Sequence, residues 1–418
     1  MKSSLLTFLL PAFLLFIFTS GTSCGSEKQK QQQAEVKIDS VKKDSVKVVP
    51  KQTISYDRKY NDIARFIAGI NQTPGSSLTG LEKKESWLKF QKSIDSSWKK
   101  LEAKRLKPMR DWAQTELAAA NSSGSDVFYP FGGPDFLNVF TFFPNSRNYT
   151  IIGLEPPGEI PSDFTKNSDQ ELEKYFDDVH VSLSTIFKGN YFITKRMINE
   201  LKFSELKGTL PLLLLFAERT GNTITDLKYL SMNADSSLSE FPLNVSNEQK
   251  EKISGVDISF FTATDSSTLR HCYYFRVNLQ DNYFKNNFVY QHYLNNQTPV
   301  VTYLKSASYL MHYPTFSMIR KIILHNSDYL LQDDSGIAFK YFEKKVWNFK
   351  FYGKYIKPTH DFSWIEQNDL QAIYATDTTI RPLPFALGYN WYRDGVSMLL
   401  AVKKQISSAQ PAAVENKK

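Results

Sequence analysis

The stretch from Asp126 to Glu155 constrains the fold of this chain more than any other. Residues Asp126 to Phe131 are aromatic and β-branched, the composition of a short strand. Gly132-Gly133-Pro134-Asp135 follows as a tight turn, and Pro134 suits the first position of a helix. Phe136 to Phe143 reads as that helix, and Asn148 to Leu154 as a second strand ending at Glu155. Strand, turn, helix and strand in this order suit a parallel pair, which needs a crossover connection of this kind. An acid just beyond the second strand stands where ligand hydroxyls are met at the carboxyl edge of such sheets.

A second block has the same rhythm. Pro299 to Tyr309 is strand-like, and Phe316 to His325 is helical with Met318, Ile319, Ile322 and Ile323 apolar. Asp328 to Gln332 reads as a strand, closed by Asp333-Asp334-Ser335-Gly336. Together the two blocks resemble the first and later strands of a class I methyltransferase-like, Rossmann-type sheet. That resemblance implies an α/β fold with a doubly wound, mostly parallel sheet. Gly255 to Phe261 and Thr268 to Asn278 read as an antiparallel pair added to it. Ahead of the sheet, Ile63, Phe66, Ile67 and Ile70, and then Trp87, Phe90, Ile94, Trp98 and Leu101, fall at helical spacing. They predict amphipathic helices whose aromatic stripe faces a core, with a ligand groove as the other reading. The methyltransferase pattern carries glycines at alternate positions after its first strand, where this chain has Gly132, Gly133 and then Pro134. The wording of Phe128 to Phe136 and of Leu331 to Gly336 also resembles uncharacterised bacterial lipoproteins, a resemblance that implies no activity.

The N-terminus assigns an address. Lys2 precedes an apolar run from Leu5 to Phe18, and small residues then lead to Thr22-Ser23-Cys24-Gly25. The run falls short of the roughly 20 apolar residues that a membrane-spanning helix needs. This segment resembles the signal of bacterial lipoprotein precursors, which implies cleavage before Cys24 and acylation of its sulfur. With Gly25 after the cysteine, the family's sorting pattern implies an outer-membrane anchor, on the periplasmic or the surface side. The partner so implied is the lipid bilayer, and several acyl chains together hold a protein there stably. An ordinary signal peptide cleaved near Ser20 or Ser23 is the other reading.

Charge and cysteine usage bear on this address. The net charge of +8 lies outside the body: residues 24–60 carry an excess of four positive charges, residues 403–418 an excess of three, and Lys2 one more. A neutral body offers no basic groove for nucleic acid, whereas a basic tether suits an anionic membrane surface. The expected organisation is a signal peptide over 1–23, a disordered tether over 24–55, a helical lead over 56–120, an α/β domain over 121–402 and a disordered tail over 403–418. The chain has two cysteines, so acylation of Cys24 leaves Cys272 without an internal partner. At 418 residues and 41% hydrophobic content, the chain is long enough to fold on core packing alone.

Chemistry is sparsely signalled. Asp135, Glu155, Asp333 and Asp334 fall at strand ends or helix starts, where a parallel sheet would bring them to one edge beside Gly132, Gly133, Tyr129 and His312. Such a crevice would suit a polyhydroxy or cationic ligand or a hard metal ion; the alternative is a helix cap at Asp135 and a surface turn at Asp333-Asp334. The histidines are scattered without zinc-site spacing, so no metal is expected. No nucleophile elbow or phosphate loop is present. No cofactor is expected either, because adenosyl and nicotinamide cofactors belong to the cytoplasm. The functional expectation is an envelope lipoprotein that binds a small ligand or a protein partner. The alternative is an enzyme using the acidic crevice, either a hydrolase or a divergent transferase.

Overall fold

The computed structural model describes residues 55–161, 163–192, 201, 204–297, 300–358, 360–392 and 395–404. The expected signal peptide, Cys24, nearly all of the tether and the tail beyond Lys404 lie outside the described residues. The strands are β1 (Asp126–Tyr129), β2 (Asn148–Gly153), β3 (Asn222–Met232), β4 (Leu238–Phe241), β5 (Gly255–Thr262), β6 (Asp265–Arg276), β7 (Val300–Leu304), β8 (Ser327–Asp333), β9 (Trp347–Gly353) and β10 (Ser397–Lys403). They form one sheet in the order β4-β3-β5-β6-β2-β1-β7-β8-β10-β9.

This sheet corrects the expected fold. Only the central run β6-β2-β1-β7-β8 is parallel, with four pairings. Five pairings are antiparallel, three on one flank and two on the other. The sheet is therefore mixed, and the mostly parallel Rossmann-like sheet with a single antiparallel pair is not what forms. The physical reason lies in the connections. Only two residues separate β5 from β6, too few for a crossover, so the pair must fold back on itself. Strands β3 and β4, absent from the sequence reading, extend that flank as a second hairpin. The chain's last described strand, β10, inserts between β8 and β9 and runs against both.

Helices cover both faces. On one face lie α1 (Lys59–Ile67), α2 (Glu85–Leu101), α3 (Lys107–Glu116), α4 (Ala118–Ser122), α5 (Phe136–Phe142), α6 (Asp169–Gly189) and α7 (Leu210–Arg219). On the other lie α8 (Phe288–Asn295), α9 (Ser317–Asn326) and α10 (Asn368–Thr376). Val127 and Tyr129 of β1 point to the first core and Phe128 to the second, the alternation that two buried faces require. Every residue of β5 and β7 is buried, as expected of strands covered on both sides. The aromatic stripe of α2 is core: Trp87, Phe90 and Ile94 are buried, and the Phe90 ring stacks on Phe176 of α6 at 4.5 Å. Cys272 is buried in β6, where burial pushes its thiol far up and leaves it inert. Among the described residues no helix is long and apolar enough to cross a membrane.

Candidate functional site

The carboxyl ends of the parallel strands bring the sequence-selected residues to one edge, and the protein fills that edge with itself. Asp135 follows the β1 turn and caps α5, accepting from the Asn138 backbone N–H at 3.1 Å and its side-chain amide at 2.7 Å. Its other oxygen accepts from the Tyr129 hydroxyl at 3.0 Å and from the Lys305 ammonium at 2.6 Å. Lys305 directly follows β7, is 2% exposed and also donates to the Asn190 carbonyl. Burial pushes the Lys305 ammonium down, and the Asp135 carboxylate opposes that shift.

The remaining acids are equally committed. Glu155 accepts from the Leu154 N–H at 3.0 Å and lies beside the Tyr274 hydroxyl at 3.4 Å. Gly132 lies against the Tyr129 ring, and Gly133, at φ +56°, sits against the Glu155 carboxylate, so the glycine turn faces protein groups. Asp333 accepts from the Ser306 N–H at 2.8 Å and from the Ser335 N–H and hydroxyl. Asp334 accepts from the Tyr309 hydroxyl at 2.6 Å. Burial first, and the Asp333 carboxylate second, push Asp334 up to about 7. His312 lies near Asp334, against the Tyr309 ring at 5.2 Å, and burial with Lys340 and Arg320 nearby pushes it down to about 4. The loops at this edge hold Phe131, Asn190, Ser306, Ser308 and Tyr309 at positive φ, a strained arrangement that the surrounding bonds must hold in place. The voids left there measure about 10 Å³ each, room for about one water. Among the described residues no group of three or more metal-ligating side chains could hold an ion.

A different place has the dimensions of a binding site. A cleft of about 690 Å³ opens between α1, the segment 159–167, the start of α6, β3 and the segment 243–250; small-molecule sites run to about 300–1,000 Å³. Its floor is apolar and aromatic: Ile63, Phe164, Leu172 and Tyr175 are buried, with Leu243 and Val245 partly so. The rim is charged. One wall is fixed by a close backbone approach: Gly158, at φ +77°, lies so near Gly208 that a side chain at either would collide with the other. The Thr209 and Leu210 N–H groups donate to Pro156 and Pro157 at 3.1 and 2.8 Å, and the Tyr229 hydroxyl donates to Gly158 at 2.7 Å. The wall therefore exists before any ligand arrives.

Sequence reasoning missed both Lys305 and the cleft. Lys305 carried a signal, since a lysine ending the apolar run Val300 to Leu304 must either snorkel or pair. The cleft carried almost none, because its residues come from distant segments and no local pattern joins them. Comparisons with protein-family models, curated proteins and solved structures gave no match.

Proposed function

We propose that this protein is a lipid-anchored component of a bacterial cell envelope that binds a small ligand without transforming it. The cleft carries this reading. It has the volume of a ligand site, whereas the acidic edge offers spaces of about 10 Å³ and carboxylates already bound within the protein. A hydrolase or transferase would need an acid or nucleophile facing open space, and at the filled edge the Asp135, Glu155, Asp333 and Asp334 carboxylates bond within the protein. The address rests on Cys24 and the apolar run before it.

Two measurements test this function. Wild-type protein should partition with membranes, and Cys24→Ala should release it to the soluble fraction; release of neither or both overturns the anchor. Val245→Trp narrows the cleft from a partly buried position. A thermal-shift screen of small molecules should find compounds that raise the Tm of wild type and leave this variant unmoved. Compounds that stabilise both proteins equally, or a screen without any stabilising compound, would remove the cleft as the binding site.

A further inference from the structure

We infer that the cleft takes a small amphipathic anion, a single phosphate or carboxylate carried on an apolar body. This rests on the cleft being the binding site, and it follows from how the charges around the rim are already used.

Three carboxylates and three ammonium groups line the cleft. The carboxylates are occupied. Glu159 holds Lys250 at 2.6 Å, Glu205 holds Lys174 at 2.5 Å, and Glu171 closes a capping box with Ser168 at the start of α6. Lys250 is spent on Glu159 in the same way. Lys59 and Lys207 remain. Both are exposed, and among the described residues neither has a carboxylate within salt-bridge distance. Lys59 lies 5.9 Å from the Tyr60 ring, a position that directs its ammonium over the cleft's aromatic side. Among the described residues the rim therefore offers an incoming molecule two ammonium groups without a carboxylate partner, and an anion with two or three acceptor oxygens answers them.

The floor calls for something else. Tyr60, Ile160, Leu243 and Val245 are half-buried around the buried Phe164 and Leu172, so beneath the charged rim the cleft presents carbon. A free inorganic anion would leave that surface wet, whereas an alkyl or aryl body would cover it at roughly 25 cal/mol for each Å² of apolar surface removed from water. The floor also holds one polar group without a partner among the described residues, the buried hydroxyl of Tyr175. A buried hydroxyl without a partner is uncommon in proteins and marks a place where a further hydrogen bond is wanted. An anionic head at the rim and an apolar body bearing one oxygen would meet all three features.

Dodecyl phosphate below its micelle concentration is a suitable probe, with dodecanol and inorganic phosphate as its two halves. The full chain carrying Cys24→Ala avoids the need for detergent, which would compete for the cleft. Calorimetry should show dodecyl phosphate binding one to one. Lys59→Glu with Lys207→Glu should weaken it about tenfold or more, the scale of a lost charge-assisted hydrogen bond, and Val245→Trp should abolish it. Dodecanol binding as tightly, or an unchanged Kd in the lysine variant, overturns the anion while continued sensitivity to Val245→Trp leaves the cleft as the binding site. Inorganic phosphate binding as tightly overturns the apolar body. Binding to phosphatidic acid vesicles without binding of the monomer assigns the lysines to a membrane surface and overturns the small ligand. Failure of every probe overturns the ligand class, and the broader screen above then decides the cleft by itself.

Discussion

The acidic strand edge and the cleft each gather several charged side chains, and they dispose of them in opposite ways. At the edge, Asp135 and Lys305 are 1% and 2% exposed and bonded to each other, and Asp333 is ringed by Ser306 and Ser335. At the cleft, the charges stand at the rim above an apolar floor, and two of the ammonium groups have no carboxylate partner among the described residues. A buried charge must be compensated where it lies, so it is already spent when a ligand arrives. An exposed charge costs little to leave unpaired and can be offered to a partner. The position of a carboxylate at a strand end is thus a poor guide to function until its hydrogen bonds are counted.

The largest effect should come from breaking the edge. Lys305→Ala leaves the Asp135 carboxylate buried without its cation, which should cost about 3–5 kcal/mol of stability. Asp135→Asn combined with Lys305→Met removes both charges and should recover much of that loss, because neither ion is then left uncompensated. Urea denaturation of the single and double variants measures both. If Lys305→Ala costs less than about 1 kcal/mol, on the scale of an exposed pair, the edge is wetter than its bonding implies. The contrast with the cleft would then fail.

How far each region could be read from sequence follows from the same difference. The segment from Asp126 to Gly153 was readable because strand, turn and helix are contiguous, and each carries its own local pattern. The clustering of Asp135, Glu155 and Asp333 at one edge followed from parallel strands sharing a direction. Lys305 closing that edge did not, since pairing depends on which side chain fills the space between β1 and β7. The antiparallel flank at β3 is hard to read from sequence because this strand carries polar residues on its half-open face, with Asp226 and Lys228 among its partly exposed positions. Strand β10 reads as a continuous apolar run, a pattern that periodicity alone does not separate from buried helix. The cleft draws on residues from Lys59 to Lys250, and no window of sequence contains it.

A middle-sized effect should appear in the pH profile, and it sharpens the description of the edge. His312 is pushed down from 6.5 to about 4, so the unfolded chain binds a proton between those values that the folded chain refuses. Stability from this group is therefore lost as pH falls through that window. Asp334 is pushed up from 3.8 to about 7, so here the folded chain holds the extra proton, and stability is lost as pH rises from 3.8 to about 7. The two slopes oppose each other where the windows overlap. Compared with wild type, His312→Gln should lose the rising contribution and Asp334→Asn the falling one, over a background that Glu218, itself pushed up to about 8 by burial, shares with both variants. Unfolding free energies measured from pH 4 to pH 7 would show the two variants bending in opposite directions; parallel profiles would mean that neither side chain is buried as described.

The smallest effect belongs to the cleft, and its smallness is the point. Lys59→Ala and Lys207→Ala remove exposed ammonium groups that bond to no carboxylate among the described residues, so each should change stability by about 0.5 kcal/mol or less. Lys250→Ala breaks a half-exposed pair with Glu159 and should cost no more than about 1 kcal/mol. Denaturation of these three variants beside Lys305→Ala places the two regions on one scale. A rim lysine whose loss cost several kcal/mol would be holding the fold together, and a side chain so engaged is not free to receive a ligand. A near-neutral Lys59 and Lys207, set against a costly Lys305, would leave recognition as the use the protein has for its rim charges.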